Sequence, residues 1–175
     1  SATHSRITAA PTLAALPGSP YIYYGNATNL IRVPLFGSYK AEPLFMNPPS
    51  SGEILAADLT RNRLYIMTAP DILVAVNPDG SNLVELADIN AVGLNSSNRR
   101  HVAVDETTGR VYWSEIKSLY LTTIKSANPD GTGVGTVIGS VLNQRGLLVD
   151  PIRRKLLWVG SDQWQRQELI FRSDL

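Results

Sequence analysis

An all-β fold built from a repeated four-stranded unit is predicted for this 175-residue chain by three observations. The first is a recurring segment in which an apolar run ends at an aspartate, a four-residue turn follows, and a second apolar run carries aromatics. It reads Val102-Ala103-Val104-Asp105, Glu106-Thr107-Thr108-Gly109, Arg110-Val111-Tyr112-Trp113-Ser114-Glu115. The same order stands upstream around Leu55-Ala56-Ala57-Asp58 and Arg63-Leu64-Tyr65-Ile66-Met67, and downstream around Leu147-Leu148-Val149-Asp150 and Lys155-Leu156-Leu157-Trp158-Val159. The aspartates are 47 and 45 residues apart. The second observation is an Asp-Gly turn at one fixed place in the unit, Pro78-Asp79-Gly80-Ser81 and Pro129-Asp130-Gly131-Thr132. The third is the steady recurrence of Pro and Gly, with no segment of sustained helical period. A period in the forties with four strands per unit is that of a β-propeller of antiparallel blades, about four here with the last incomplete.

Each element follows in order. Tyr21-Ile22-Tyr23-Tyr24-Gly25 has the aromatic and β-branched composition of a strand, and residues 30–35 and 43–46 continue the first unit, with short apolar pieces at 6–9 and 12–16 before it. Residues 47–52, rich in Pro and Ser, read as a loop. Strands are expected at 54–58, 63–68, 72–77 and 83–87, then from 102, from 110, and at 120–127 and 134–139, then at 145–149, 155–160 and 168–173. Asp-Gly joins the third and fourth strands because Gly tolerates the positive φ of a tight turn. The chain is therefore one domain over 1–175, or part of a larger propeller, in units of about 12–46, 54–87, 101–139 and 145–175.

The third unit resembles the YWTD (class B) repeats of the low-density lipoprotein receptor family. The likeness rests on Val102–Asp105 before Tyr112-Trp113-Ser114-Glu115, and on Ile124-Lys125-Ser126-Ala127-Asn128-Pro129-Asp130-Gly131. Departures are plain: Ile66 stands at the Trp position, Leu157 at the Tyr position, Phe36-Gly37 replaces Asp-Gly, and no unit has the full tetrapeptide. The resemblance implies that Asp58, Asp105, Asp150, Tyr65, Tyr112, Trp113 and Trp158 are structural repeat positions in the packing between blades. It also implies protein binding on one face of the ring. The family's propeller has six blades, so three arrangements are open: a segment completed by another polypeptide, a ring made by two copies, or a self-closed ring of four blades with residues 5–9 as the missing outer strand.

Composition narrows the function classes. A net charge of +1 argues against nucleic-acid binding, which calls for a dense basic patch. No apolar run is long enough to span a bilayer, so no membrane insertion is expected. Cysteine is absent, which removes thiol chemistry. Asn26-Ala27-Thr28 and Asn95-Ser96-Ser97 are glycosylation acceptor sequences and lean toward an extracellular or secreted protein.

The residue types of catalysis are thinly spread. His4 and His101 lack ligand spacing, and the Gly131–Gly135 stretch precedes a strand where a phosphate cradle needs a helix. The three repeat aspartates read as architecture before they read as a Ca²⁺ cluster, so no metal or cofactor is expected. Arg99-Arg100 and Arg153-Arg154-Lys155 read as solvated basic turns. The loop 161–167 is the longest between second and third strands and carries Gln163, Trp164 and Arg166. Trp and Arg are enriched in binding hot spots. In a propeller this loop shares a face with Asn26 and Asn95 but lies on another blade, leaving an unglycosylated side for a partner. The expectation is a non-enzymatic extracellular recognition or scaffold module that binds a protein partner, or another propeller segment or subunit. The alternatives are a glycan-binding propeller, or a Ca²⁺-dependent hydrolase of the channel type.

Overall fold

A computed structural model of the chain describes residues 14–15, 21–25, 30–36, 40–43, 52–58, 60–68, 72–89, 101–118, 120–161 and 167–175. These residues form four antiparallel sheets in chain order, stacked as the blades of a β-propeller. Blade 1 holds β1 (Ala14–Ala15), β2 (Tyr21–Gly25), β3 (Leu30–Pro34) and β4 (Glu42–Pro43). Blade 2 holds β5 (Gly52–Asp58), β6 (Arg63–Thr68), β7 (Ile72–Val76) and β8 (Val84–Asp88). Blade 3 holds β9 (Val102–Asp105), β10 (Arg110–Ile116), β11 (Leu121–Ala127) and β12 (Gly135–Leu142). Blade 4 holds β13 (Arg145–Asp150), β14 (Lys155–Ser161) and β15 (Glu168–Asp174), with no fourth strand among the described residues. Within these residues no helix is long and apolar enough to cross a membrane.

Burial along the second strand of each blade shows how the stack works. Every residue of β6 is buried, because blade 2 is covered on both faces. Leu64 and Ile66 pack with Tyr23 of blade 1, while Tyr65 and Met67 pack with Val102, Val111 and Trp113 of blade 3. The opposite face of blade 3, through Ala103, Tyr112 and Ile124, meets Val149, Leu156 and Trp158 of blade 4. In β14 the pattern changes to strict alternation: Leu156, Trp158 and Gly160 are buried, and the residues between them are half-buried. Period-two alternation is the signature of a strand covered on one face. The far face of blade 4 therefore lies open, with Leu148 at 62% and Ile170 at 77% exposure.

Most strand boundaries fall within two residues of those expected, and two differ in ways that bear on the fold. The last strand of blade 1 is Glu42–Pro43, earlier than 43–46, whose remaining residues lie outside those described, as do the N-terminal pieces at 6–9 and 12–13. The fourth strand of blade 3 runs to Leu142, past the expected end at 139. Register shifts between Thr122 and Lys125 absorb the irregularity and let Val141 face blade 4.

The Asp-Gly turns are one device used twice. Gly80 N–H donates to Asn77 C=O at 2.9 Å and Gly131 N–H to Asn128 C=O at 3.0 Å, with Gly80 and Gly131 at φ of 86° and 83°. The aspartate before each glycine accepts from the backbone N–H and hydroxyl of the residue after it, Ser81 or Thr132. A Cβ on Gly131 would also stand 3.1 Å from the Glu85 carbonyl oxygen of blade 2. Gly131→Ala is thus expected to cost about 1–2 kcal/mol in urea unfolding, from left-handed backbone strain and this crowding. Unchanged stability would contradict the turn geometry.

Candidate interaction site

The repeat aspartates sit where a first strand turns into a second, and the turns they close reach across to the next blade. Asp58 accepts from Arg61 N–H at 2.9 Å and from its Nη1 at 3.1 Å. Arg61 then donates to the carbonyls of Glu106 and Thr107 on blade 3, at 2.9 and 3.3 Å. Asp105 accepts from Thr107 N–H at 3.1 Å, from the Thr108 hydroxyl at 2.6 Å, and through both oxygens from Arg154 Nη1 of blade 4 at 2.7 Å. Asp150 is held only by its own turn, by the N–H groups of Ile152 and Arg153 and by the Arg153 guanidinium. Asn62, Gly109 and Arg154 occupy the same turn position and all have positive φ, at 52°, 79° and 53°.

Burial works against the charged form of Asp105, but the Thr108 hydroxyl, the Arg154 guanidinium and the Thr107 N–H together hold its carboxyl below its usual value. The Arg153 N–H does the same first for Asp150. The Tyr65 hydroxyl is pushed up to about 12, chiefly by burial, with the Asp58 charge adding. Tyr112 is raised by burial as well. Tyr65, Tyr112, Trp113 and Trp158 are all buried between blades. The basic turn Arg153-Arg154-Lys155 is solvated at Arg153, as expected, but its other two cations are engaged in ion pairs. Arg154 bridges blades 3 and 4, Arg153 closes the Asp150 turn, and Lys155 pairs with Asp174.

What the repeat positions do not explain is a cleft of about 300 Å³ between blades 3 and 4. Ser140, Val141 and Leu142 of β12 form one wall; Trp158, Ser161, Leu169 and Phe171 of β14 and β15 form the other. Trp158 and Phe171 stack at 5.9 Å between centroids and 12° between planes. Gly160 lets the walls approach, since a Cβ there would lie 3.1 Å from the Leu142 carbonyl. Asn143 donates to the Ser161 hydroxyl at 2.7 Å and ties the two blades at one end. The cleft lies where a fourth strand of blade 4 would pack on β12. Beside it runs β15, which pairs with β14 on one edge and with no strand on the other among the described residues.

Chemically the cleft is an apolar slot with hydroxyls and no charge. It suits an aliphatic or aromatic side chain, and the adjacent edge of β15 offers backbone donors and acceptors to an extended chain. Sequence reading missed it because its lining comes from three strands with no contiguous motif. The one local signal was Gly160 inside a strand, a mark of close backbone approach. Gln163, Trp164 and Arg166 lie outside the described residues, as do Asn26 and Asn95. Ser161, the last described residue before that loop, lines the cleft. His101 begins blade 3, its imidazole held below its ordinary pKa by burial. Among the described residues no three His, Cys, Asp or Glu side chains converge as a metal site.

No family model matches the sequence. Solved structures are similar to it in fold. A protein assigned as TolB from Agrobacterium tumefaciens superposes with a TM-score of 0.73 at 12% identity, covering 94% of this chain and 57% of its own. A protein assigned as a 6-phosphogluconolactonase from Bacteroides uniformis gives 0.53 at 15% identity, covering 94% and 56%. The chain spans little more than half the length of either, and at these identities the likeness is one of fold.

Proposed function

We propose that the chain is a non-enzymatic recognition module that captures an extended peptide segment of a protein partner along β15. The observation that carries this reading is the edge of β15 beside the apolar cleft, which pairs with no strand among the described residues. A peptide laid there would complete the three-stranded blade with main-chain hydrogen bonds and place alternate side chains against Leu169 and Phe171. Trp164 and Arg166, which follow Ser161 in the sequence, would add hot-spot contacts of the type their chemistry favours. The resemblance of the third unit to YWTD repeats, and the two acceptor sequences, support an extracellular setting for such a module.

The glycan-binding alternative is less well supported, because Trp158 is 8% exposed and stacks on Phe171, which leaves little aromatic face for a sugar. The test is selection of binding peptides from a displayed random library, followed by titration of the selected peptides. Leu169→Asp, at the mouth of the cleft, is expected to weaken binding about tenfold or more, as loss of an interface anchor does. Val134→Asp, at an exposed turn of blade 3, should leave it unchanged. Peptides that bind both variants equally would remove this site, and hits on a glycan array in place of peptides would favour the alternative.

A further inference from the structure

The far face of blade 4, opposite the cleft, carries a second recognition surface. Leu148, Leu157, Val159 and Ile170 lie together on it, since Leu148 pairs with Leu157 and Val159 with Ile170 across neighbouring strands. Ion pairs bound this apolar centre at both ends, Arg145 with Glu168 and Lys155 with Asp174, and Arg172, opposite Leu157 on the same face, adds an exposed cation on its β15 side. An apolar centre within a charged rim is the anatomy of an interface.

The internal repeat says what covers such a face. Leu157 and Val159 stand in the repeat where Tyr65 and Met67 stand in blade 2, and that face of blade 2 is covered by blade 3. Leu157 likewise corresponds to Tyr112, which is covered by blade 4. Arg153 occupies the turn position of Arg61, whose guanidinium reaches the turn carbonyls of the following blade. Among the described residues the Arg153 guanidinium pairs with Asp150 alone, and it is largely exposed. The occupant this face fits is therefore another blade, presenting its preceding-side face.

The chain holds such a face on blade 1. Ile22 pairs with Val33, and Ile31 stands two residues before Val33 on β3, all on the side opposite the Tyr23 that packs on blade 2. We propose that blade 4 of one copy docks on blade 1 of a second copy, head to tail, continuing the stack between molecules. Two different surfaces meet in this heterologous contact, so the pairing closes as a ring if the rotation permits.

Sedimentation equilibrium over a concentration series tests this, with near-UV circular dichroism confirming that each variant folds. The unaltered chain is expected to associate beyond its 19.1 kDa monomer. Ile170→Asp on blade 4 and Val33→Asp on blade 1 should each weaken association about tenfold or more. Arg153→Ala should weaken it less, and Val134→Asp not at all. A mixture of Ile170→Asp with Val33→Asp should regain association, because one intact blade 4 face still meets one intact blade 1 face. A folded chain that stays monomeric throughout would overturn the proposal. So would association that survives Ile170→Asp, or a mixture that fails to recover.

Discussion

Trp113→Ala is expected to lower unfolding stability by about 3–5 kcal/mol, as removal of a buried large aromatic does. Trp113 is 1% exposed and sits among Tyr65, Met67, Leu73 and Leu86 of blade 2 and Val102 and Val111 of its own blade. Sheets on both sides hold the site open, so the cavity cannot close by a side chain folding in from solvent. Trp158→Ala, in the corresponding position of the fourth unit, should cost less. Its ring borders the cleft, so part of its surface already meets open space. Urea unfolding of both variants measures the difference. Equal losses would mean that burial between two complete blades confers no advantage over burial beside the cleft.

Asp105→Ala is expected to be nearly as damaging, at roughly 2–3 kcal/mol, since it leaves the Thr107 N–H, the Thr108 hydroxyl and the Arg154 guanidinium without their acceptor. The figure falls below that for a fully buried pair because the Arg154 side chain is 42% exposed and water takes up part of the loss. A double-mutant cycle with Arg154→Ala isolates the bridge between blades. The pH dependence follows the same carboxylate. Its folded pKa lies below the unfolded value, so its contribution is complete above about pH 4 and is lost as pH falls through the folded pKa. His101 adds a loss that starts higher, from about pH 6.5 downward, because the unfolded imidazole takes up a proton that burial resists. Asp105→Asn should make the acid limb shallower without removing it, since Asp79, Glu115, Asp130, Asp150 and Asp174 are also held low, and should leave the His101 limb in place.

Much of the fold was legible because it repeats. One Asp followed by four turn residues is ambiguous; three at nearly constant spacing define a register, and the Asp-Gly turns mark the next hairpin within it. The strand expected at 134–139 runs on to Leu142, because register shifts that the sequence does not announce carry it past Gly139. The bridging arginines were harder. Nothing in Arg153-Arg154-Lys155 distinguishes three solvated cations from three paired ones. What decides is the positive φ at Arg154, which aims its guanidinium back at blade 3 while Arg153 stays with Asp150. The cleft could not be read at all, since its walls are 140–142 on one blade and Trp158, Ser161, Leu169 and Phe171 on the next, which no contiguous motif joins.

Capture of a peptide beside β15 is tested most directly by fluorine NMR of protein labelled with 5-fluorotryptophan. Three resonances are expected, for Trp113, Trp158 and Trp164, assigned by single Trp→Phe variants. On saturation with a selected peptide, the Trp158 resonance should shift, because its ring lines the cleft. The Trp113 resonance should hold its position, because its ring is sealed between blades 2 and 3. A saturated complex in which Trp158 stays unmoved would contradict the account.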